Sequence, residues 1–436
     1  MESVAKSALQ SAWNRQSAES SLERWRELAA KERWDYSRET LICLVQLFGA
    51  SWYFTRYIFY RGQDAITLIE RAATEDFTAV AMRERINRIK QATDLEQQLE
   101  QLRLVKNEIM LQILSCYLQQ LLPQQEMERM LTHLSEITLD TLMEIFGLES
   151  HTPKQSIAVL GMGRLAGYEM TFGSDLDLIF LYQSESVDSM TELGRRIRQL
   201  LRNLSSASAA GQLYEIDMRL RPHGTSGALL TSVEMFLEYH QAEREIWERQ
   251  MMTRCRPVFD DSGIGEKTLT GINEYIYGVY DEDSLRREIV AMRKRVQDEK
   301  GSVTGKFDVK RGMGGLMDID FLVHYLQLRH GRGHQPLRSC STRIALQAAA
   351  EAGFVDADTA ATLLEGYDFL KRVETSLRLF DMKSISSFNR EPEAHESLAR
   401  AMGFYDSSQP ALFLERYFST RDRVRASFME VVGDPG

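Results

Sequence analysis

Residues 159–182 read VLGMGRLAGYEMTFGSDLDLIFLY, and no other stretch constrains the fold as strongly. Two short apolar runs flank a glycine-rich turn. Runs of this length bounded by glycine read as buried strands. Residues 151–163, HTPKQSIAVLGMG, supply a turn and the first strand; Asp175 to Tyr182 form the second. Side chains two apart on a strand point the same way. Asp175 and Asp177 therefore share one face, while Leu176 and Leu178 pack on the other. Such a pair either caps a strand or holds cations.

The glycines do not form a dinucleotide-binding loop. That loop needs G-x-G-x-x-G and an acid about twenty residues on. Here Gly161, Gly163 and Gly167 are spaced G-x-G-x-x-x-G, and the acids come sooner, as a pair. A P-loop needs G-K-[ST], which is absent. Metal-dependent nucleotidyl transfer fits better, because clustered carboxylates hold the ions that clamp the attacking and leaving oxygens. Residues 213–221, LYEIDMRLR, alternate and read as a third, half-buried strand. It offers Asp217 as the third carboxylate, with Glu215, Arg219 and Arg221 on the same face. Arginines beside such an acid suit a triphosphate. The turns at Gly161–Gly163 and Gly173–Ser174 let backbone N–H groups approach phosphate.

The chain has 436 residues, too many for one core. Only one of its eight prolines, Pro123, falls in the first 150. Leu95, Leu99, Leu102, Val105, Ile109 and Ile113 recur at helical steps, with Thr93 or Asp94 as cap. Residues 1–150 read as a helical region, with Pro123 opening a second helix, and as dispensable for metal binding. Helical patterns follow at 186–206 and 232–252. Others fall at 284–298, 314–329, 339–352, 357–380, 394–403 and 410–432. Residues 205–212 read as a small-residue turn and Gly301–Gly305 as a joint. The expected division is 1–150, an α/β unit at 151–290, and a helical bundle at 291–436. A net charge of −10 argues against a broad grip on nucleic acid. Four scattered cysteines fit a reducing cytoplasm, and the most apolar stretch, Leu41 to Phe54, is too short to span a bilayer.

Longer motifs narrow the reading. GMGRLAGYEMTFGSDLDLIFLY (161–182), LYEIDMRLRPHGTSGALLTS (213–232), IWERQMMTRCRPV (246–258) and FDVKRGMGGLMDIDFLVHYLQLRHG (307–331) resemble the nucleotidyltransferase domains of bacterial glutamine synthetase adenylyltransferase. The resemblance implies an α+β, predominantly helical fold. In it a DNA-polymerase-β-like domain is flanked by an N-terminal helical region and a C-terminal bundle, with the site between the last two. It also implies AMP transfer from ATP to a tyrosine of glutamine synthetase in the cytoplasm, with Mg²⁺, or Mn²⁺ in its place. Enzymes of the family carry two halves, one attaching AMP and one removing it by phosphorolysis that releases ADP. This chain has one motif set, so it resembles a single half. G-S-D-L-D-L favours the attaching half. The removing half is the alternative, and a PII-binding module without activity is a third reading.

By this resemblance Asp175, Asp177 and Asp217 are metal ligands, and Asp217 also helps deprotonate the attacking hydroxyl. Gly163, Arg164, Gly173 and Ser174 would meet the nucleotide. Arg219 and Arg221 either meet phosphate or pair with Glu215 or Glu169. Asp318 and Asp320 open a helix whose dipole favours acids whatever their role. Structural support is expected of them, with Asp318 facing the catalytic unit. Lys310 and Arg311 precede this helix and could meet phosphate, but solvation is the expected state. Where the family has G-K-L-G-G, this chain has Gly163-Arg164-Leu165-Ala166-Gly167, which keeps a cation but alters its geometry.

Overall fold

The computed structural model describes residues 2–92, 94–149, 155–184, 187–242, 245–301, 305–391, 395–405 and 409–434. Thr93, the turn at 151–154 and most of the 301–305 joint lie outside them. The fold is α+β and predominantly helical, as the motifs imply. Its centre is a small mixed sheet of β1 (Gln155–Met162), β2 (Leu176–Ser184), β3 (Ile216–Asp217), β4 (Leu230–Ser232) and β5 (Cys255–Phe259). The order is β3-β2-β1-β5, and β4 also pairs with β2. β1 and β2 run antiparallel, with Gly161 opposite Leu178. β3 is parallel to β2 and sets Asp177 beside Asp217.

The alternation of β1 and β2 explains the layers. Ile157, Val159, Leu176, Leu178 and Phe180 join one apolar core with the N-terminal helices. Ala158, Leu160, Met162, Ile179 and Leu181 join a second core with the C-terminal helices. The sheet is thus filled from both sides, as a buried sheet must be. The acids at 175 and 177 fall on the side of the C-terminal helices.

The N-terminal helices Leu95–Leu118 and Gln124–Ile145 lie where periodicity and Pro123 put them. Asp94 caps the first, accepting from Gln97 N–H at 2.9 Å. These helices do not stand apart from the sheet. Phe54 meets Phe172 of the site turn edge-on at 6.2 Å, and Ser51 donates to Leu379 O at 2.7 Å. Together with the helix Val187–Ser205 they cover this face of the sheet.

Two expectations change. The nine-residue strand 213–221 shrinks to Ile216–Asp217, because Arg219 folds back on Asp217 and Arg221 N–H bonds Met218 O, turning the chain. The helix 232–252 is two helices, Val233–Gln241 and Ile246–Met252. The C-terminal bundle includes Glu282–Val296, Leu316–His330, Thr342–Glu351, Ala357–Asp381 and Gln409–Val431, close to the sequence pattern. A hairpin of β6 (Lys306–Asp308) and β7 (Ser387–Asn389) stands beside it. No described helix is long and apolar enough to cross a membrane.

Candidate active site

The sheet edge gathers the acids. Asp175, Asp177 and Asp217 present carboxylate oxygens that all lie within 4.8 Å of one another. Strand alternation supplies the first two, and the parallel β2–β3 pairing brings the third. Burial and the neighbouring Asp175 push the Asp177 carboxyl up to about 7, while Lys310 and Arg164 oppose that rise. Asp217 shifts the other way. Arg219 grips it through its backbone N–H at 2.8 Å and its Nε at 2.8–3.0 Å, so its carboxyl is held below the usual range. Three hard oxygen donors fit a Mg²⁺-type ion.

The opposing wall is cationic and comes from three distant segments. Arg164, on the short helix Gly163–Ala166, donates to Glu374 at 2.6 Å and leaves Nη1 buried without a partner. Arg378 bonds Ser174 Oγ and Glu374 at 3.2 Å each, and its Nε is likewise orphaned. Lys310 forms no side-chain hydrogen bond or ion pair among the described residues, and burial pushes its ammonium down to about 8. Its backbone is fixed by Asp308, which accepts from the N–H groups of Lys310 and Arg311 at 2.8 and 2.7 Å. The electrostatic influence of Lys310 and Arg164 falls on Asp177, and that of Arg378 on Asp175. Arg164 Nη1 and Arg378 Nε are thus buried donors without a protein acceptor among the described residues. Lys310 is half-buried rather than fully solvated. Sequence patterning hides it, because only the β6–bundle turn aims it at the acids.

The remaining expected residues divide. Gly163 adopts φ +58°, and a Cβ there would come 3.3 Å from Asp177 Oδ2, so glycine keeps this wall clear. Gly173, at φ +66°, is needed for another reason. A Cβ would lie 2.7 Å from the backbone of Met382, so its bare face abuts the bundle rather than an open phosphate cradle. The Ser174 N–H is used by Thr171 O at 3.1 Å, and its Oγ accepts from the Thr171 N–H at 3.0 Å and from Arg378. Glu215 is exposed and lends its carbonyl to Leu176 N–H. Arg221 lines the cavity shared with Asp175, Asp217 and Arg219, and its guanidinium donates to the Met218, Thr225 and Gly227 carbonyls. Neither arginine pairs with Glu215 or Glu169.

Asp318 does not face the sheet. It is fully buried in the bundle between Arg293 and Arg425 and accepts from Gly314 N–H at 2.9 Å. Asp320 makes the reach instead, to Arg254 at 3.1 Å and Thr342 at 2.9 Å. Arg254 also pairs with Glu169, which Tyr367 and Lys371 bond from the bundle side.

A small mixed sheet thus brings three acids to one edge, near a group of cations. The chain belongs to the glutamate-ammonia ligase adenylyltransferase family, whose family model matches residues 42–271. A PII-uridylyltransferase model matches residues 283–432. Relatives include proteins of Chromobacterium violaceum, 40% identical over 58% of this chain and 27% of the relative, and of Nitrosomonas eutropha, 34% identical over 64% and 30%. A third, from Aromatoleum aromaticum, is 30% identical over 75% of this chain and 35% of its own length. Each is named as a bifunctional glutamine synthetase adenylyltransferase/adenylyl-removing enzyme. The chain spans about a third or less of these relatives. The polymerase-β-like assignment is consistent with this family.

Proposed function

We propose that this chain transfers AMP from ATP to a tyrosine hydroxyl of glutamine synthetase. One observation carries the reading: the three acids face a wall of Arg164, Lys310 and Arg378. Acids alone would hold cations, and cations alone would hold phosphates. Together they suit a metal-bound triphosphate. The sequence G-S-D-L-D-L favours attachment over phosphorolysis, and intact acids argue against an inactive module.

In this reaction the tyrosine oxygen bonds to the α-phosphorus. The bond from that phosphorus to the bridging oxygen breaks, and pyrophosphate leaves. Asp175, Asp177 and Asp217 would hold Mg²⁺, or Mn²⁺ in its place, which when bound supplies charge for the attacking and leaving oxygens. Lys310, Arg164 and Arg378 would bind the phosphate oxygens, filling their unmet hydrogen bonds. Arg219, whose side chain is 73% exposed, would turn off Asp217. Asp217 would then orient the tyrosine hydroxyl and accept its proton. Gly163 keeps the approach to Asp177 open. Residues 1–150 would frame the catalytic unit 151–290, and 291–436 would close it. The match at 283–432 supports the PII signalling protein as a regulatory partner, in the cytoplasm and without nucleic acid.

The test is a mass spectrum of unmodified glutamine synthetase after incubation with this protein, ATP and Mg²⁺. Gain of one AMP per subunit is expected. No gain, with ADP released from adenylylated synthetase and phosphate, would assign the removing direction instead.

A further inference from the structure

A second charged cavity lies behind the Gly173–Ser174 turn. Its volume is about 80 Å³, and it is bounded by the helix Leu95–Leu118, the turn, residues 212–215 and Met382. One water needs roughly 10–15 Å³ on this measure, so the space takes several waters or one small ligand. Its walls are largely apolar, with Met110, Leu131, Met170 and Leu213 among them. Lys106, only 4% exposed, lines this space. Its ammonium reaches Asn107 Oδ1 and Gln212 O, both at a long 3.4 Å, and the ring of Tyr214 at 4.8 Å.

No carboxylate pairs with Lys106 among the described residues. Glu215 also lines the cavity but is exposed. Lys371, equally buried, has Glu128 at 3.2 Å. A buried ammonium without a counter-charge is unfavourable, and burial pushes Lys106 down to about 7. The helix Leu95–Leu118 therefore holds a buried cation without a counter-charge beside the turn that leads into Asp175.

We propose that this cavity binds a small oxyanion, a short carboxylate or inorganic phosphate, whose oxygens accept hydrogen bonds from Lys106. Gly173, Ser174 and Met382 wall this cavity and also make the contact that seats the turn against the bundle. An anion there stiffens the approach to Asp175, so its binding is coupled to turnover. This site shares Ser174 with the triphosphate wall but draws on a different cation, and it stands whatever reaction the acids perform.

The test is thermal unfolding of the full chain in phosphate or acetate against chloride at matched ionic strength. We expect a saturable rise in Tm with one anion, retained in Lys310→Met and lost in Lys106→Met. The effective anion tells carboxylate from phosphate. A response kept by Lys106→Met, or none with either anion, overturns the proposal. If Lys106→Met fails to fold, or both variants lose the response, reductive methylation of the wild type decides. Protection of Lys106 by the anion supports the site; equal labelling with and without it contradicts it.

Discussion

Two clusters of buried charge lie on the bundle side of the sheet, and they are built on opposite terms. Around Glu169 every acid is matched. Arg254 pairs with it, the Tyr367 hydroxyl donates at 2.7 Å, and Thr342 N–H donates at 3.0 Å. The result is a carboxyl held down at about 2. Around Asp177 the acids crowd one another and the cations opposite keep unused donors. Here the carboxyl is pushed up to about 7. The first cluster joins the sheet to the bundle with its carboxylate fully matched, although Arg254 Nε has no acceptor. The second is unbalanced in both directions, as expected where a charged ligand completes the site.

Substitutions separate the two. Asp175→Asn and Asp177→Asn should each lower AMP transfer by about 10³-fold or more, in keeping with lost electrostatic stabilisation, while circular dichroism stays unchanged. Near-normal transfer would remove the metal role. Glu169→Ala should instead cost about 3 kcal/mol of stability in urea unfolding, because it takes the nearer carboxylate from buried Arg254 and the acceptor from the Tyr367 hydroxyl. A drop below 1 kcal/mol would show that the first cluster is not a structural joint. Lys310→Met should lower kcat/KM for ATP by roughly 30-fold, the worth of about one charge-assisted hydrogen bond, without loss of stability. An unchanged kcat/KM would return Lys310 to the solvated role.

The clusters should also differ in pH dependence. Asp177 titrates near 7 in the folded chain against an ordinary 3.8. Between those values the folded chain holds a proton that the unfolded chain has lost, so metal-free stability falls as pH rises through this window. Glu169 runs the other way: its contribution is present above 4.5 and is lost as pH falls towards 2. Metal-free wild type should therefore lose stability from pH 5 to 8 relative to Asp177→Asn, by a few kcal/mol at most at about 1.4 kcal/mol per pKa unit. Parallel curves would contradict a raised Asp177 carboxyl. The smallest effect is expected of Arg219→Ala. This exposed pair is worth about 1 kcal/mol or less, so transfer should change less than about fivefold.

The legible parts of the molecule are those written in local pattern. Asp175 and Asp177 could be placed on one face because strand alternation is a local rule. The helix Ala357–Asp381 was legible from periodicity alone. Asp217 could be brought forward as the third acid, but its strand was read too long, since alternation continues past the point where Arg219 turns the chain. Lys310, Glu374 and Arg378 could not be placed, because their meeting depends on how a hairpin and two helices dock. β4 and β5 were missed for a similar reason. They are three and five residues long, and their pairing with β2 and β1, rather than their composition, makes them strands. Asp318 and Asp320 show the limit most plainly: two similar acids on one helix turn face different neighbours, one sealed inside the bundle and one reaching Arg254.

The most direct measurement is Mn²⁺ binding followed by electron paramagnetic resonance, with and without a non-hydrolysable ATP analogue. Wild type should bind Mn²⁺, and the analogue should tighten it. Asp177→Asn should lose the binding, and Lys310→Met should lose only the tightening. Equal binding by wild type and Asp177→Asn would contradict the assignment of the unbalanced cluster as a metal and triphosphate site.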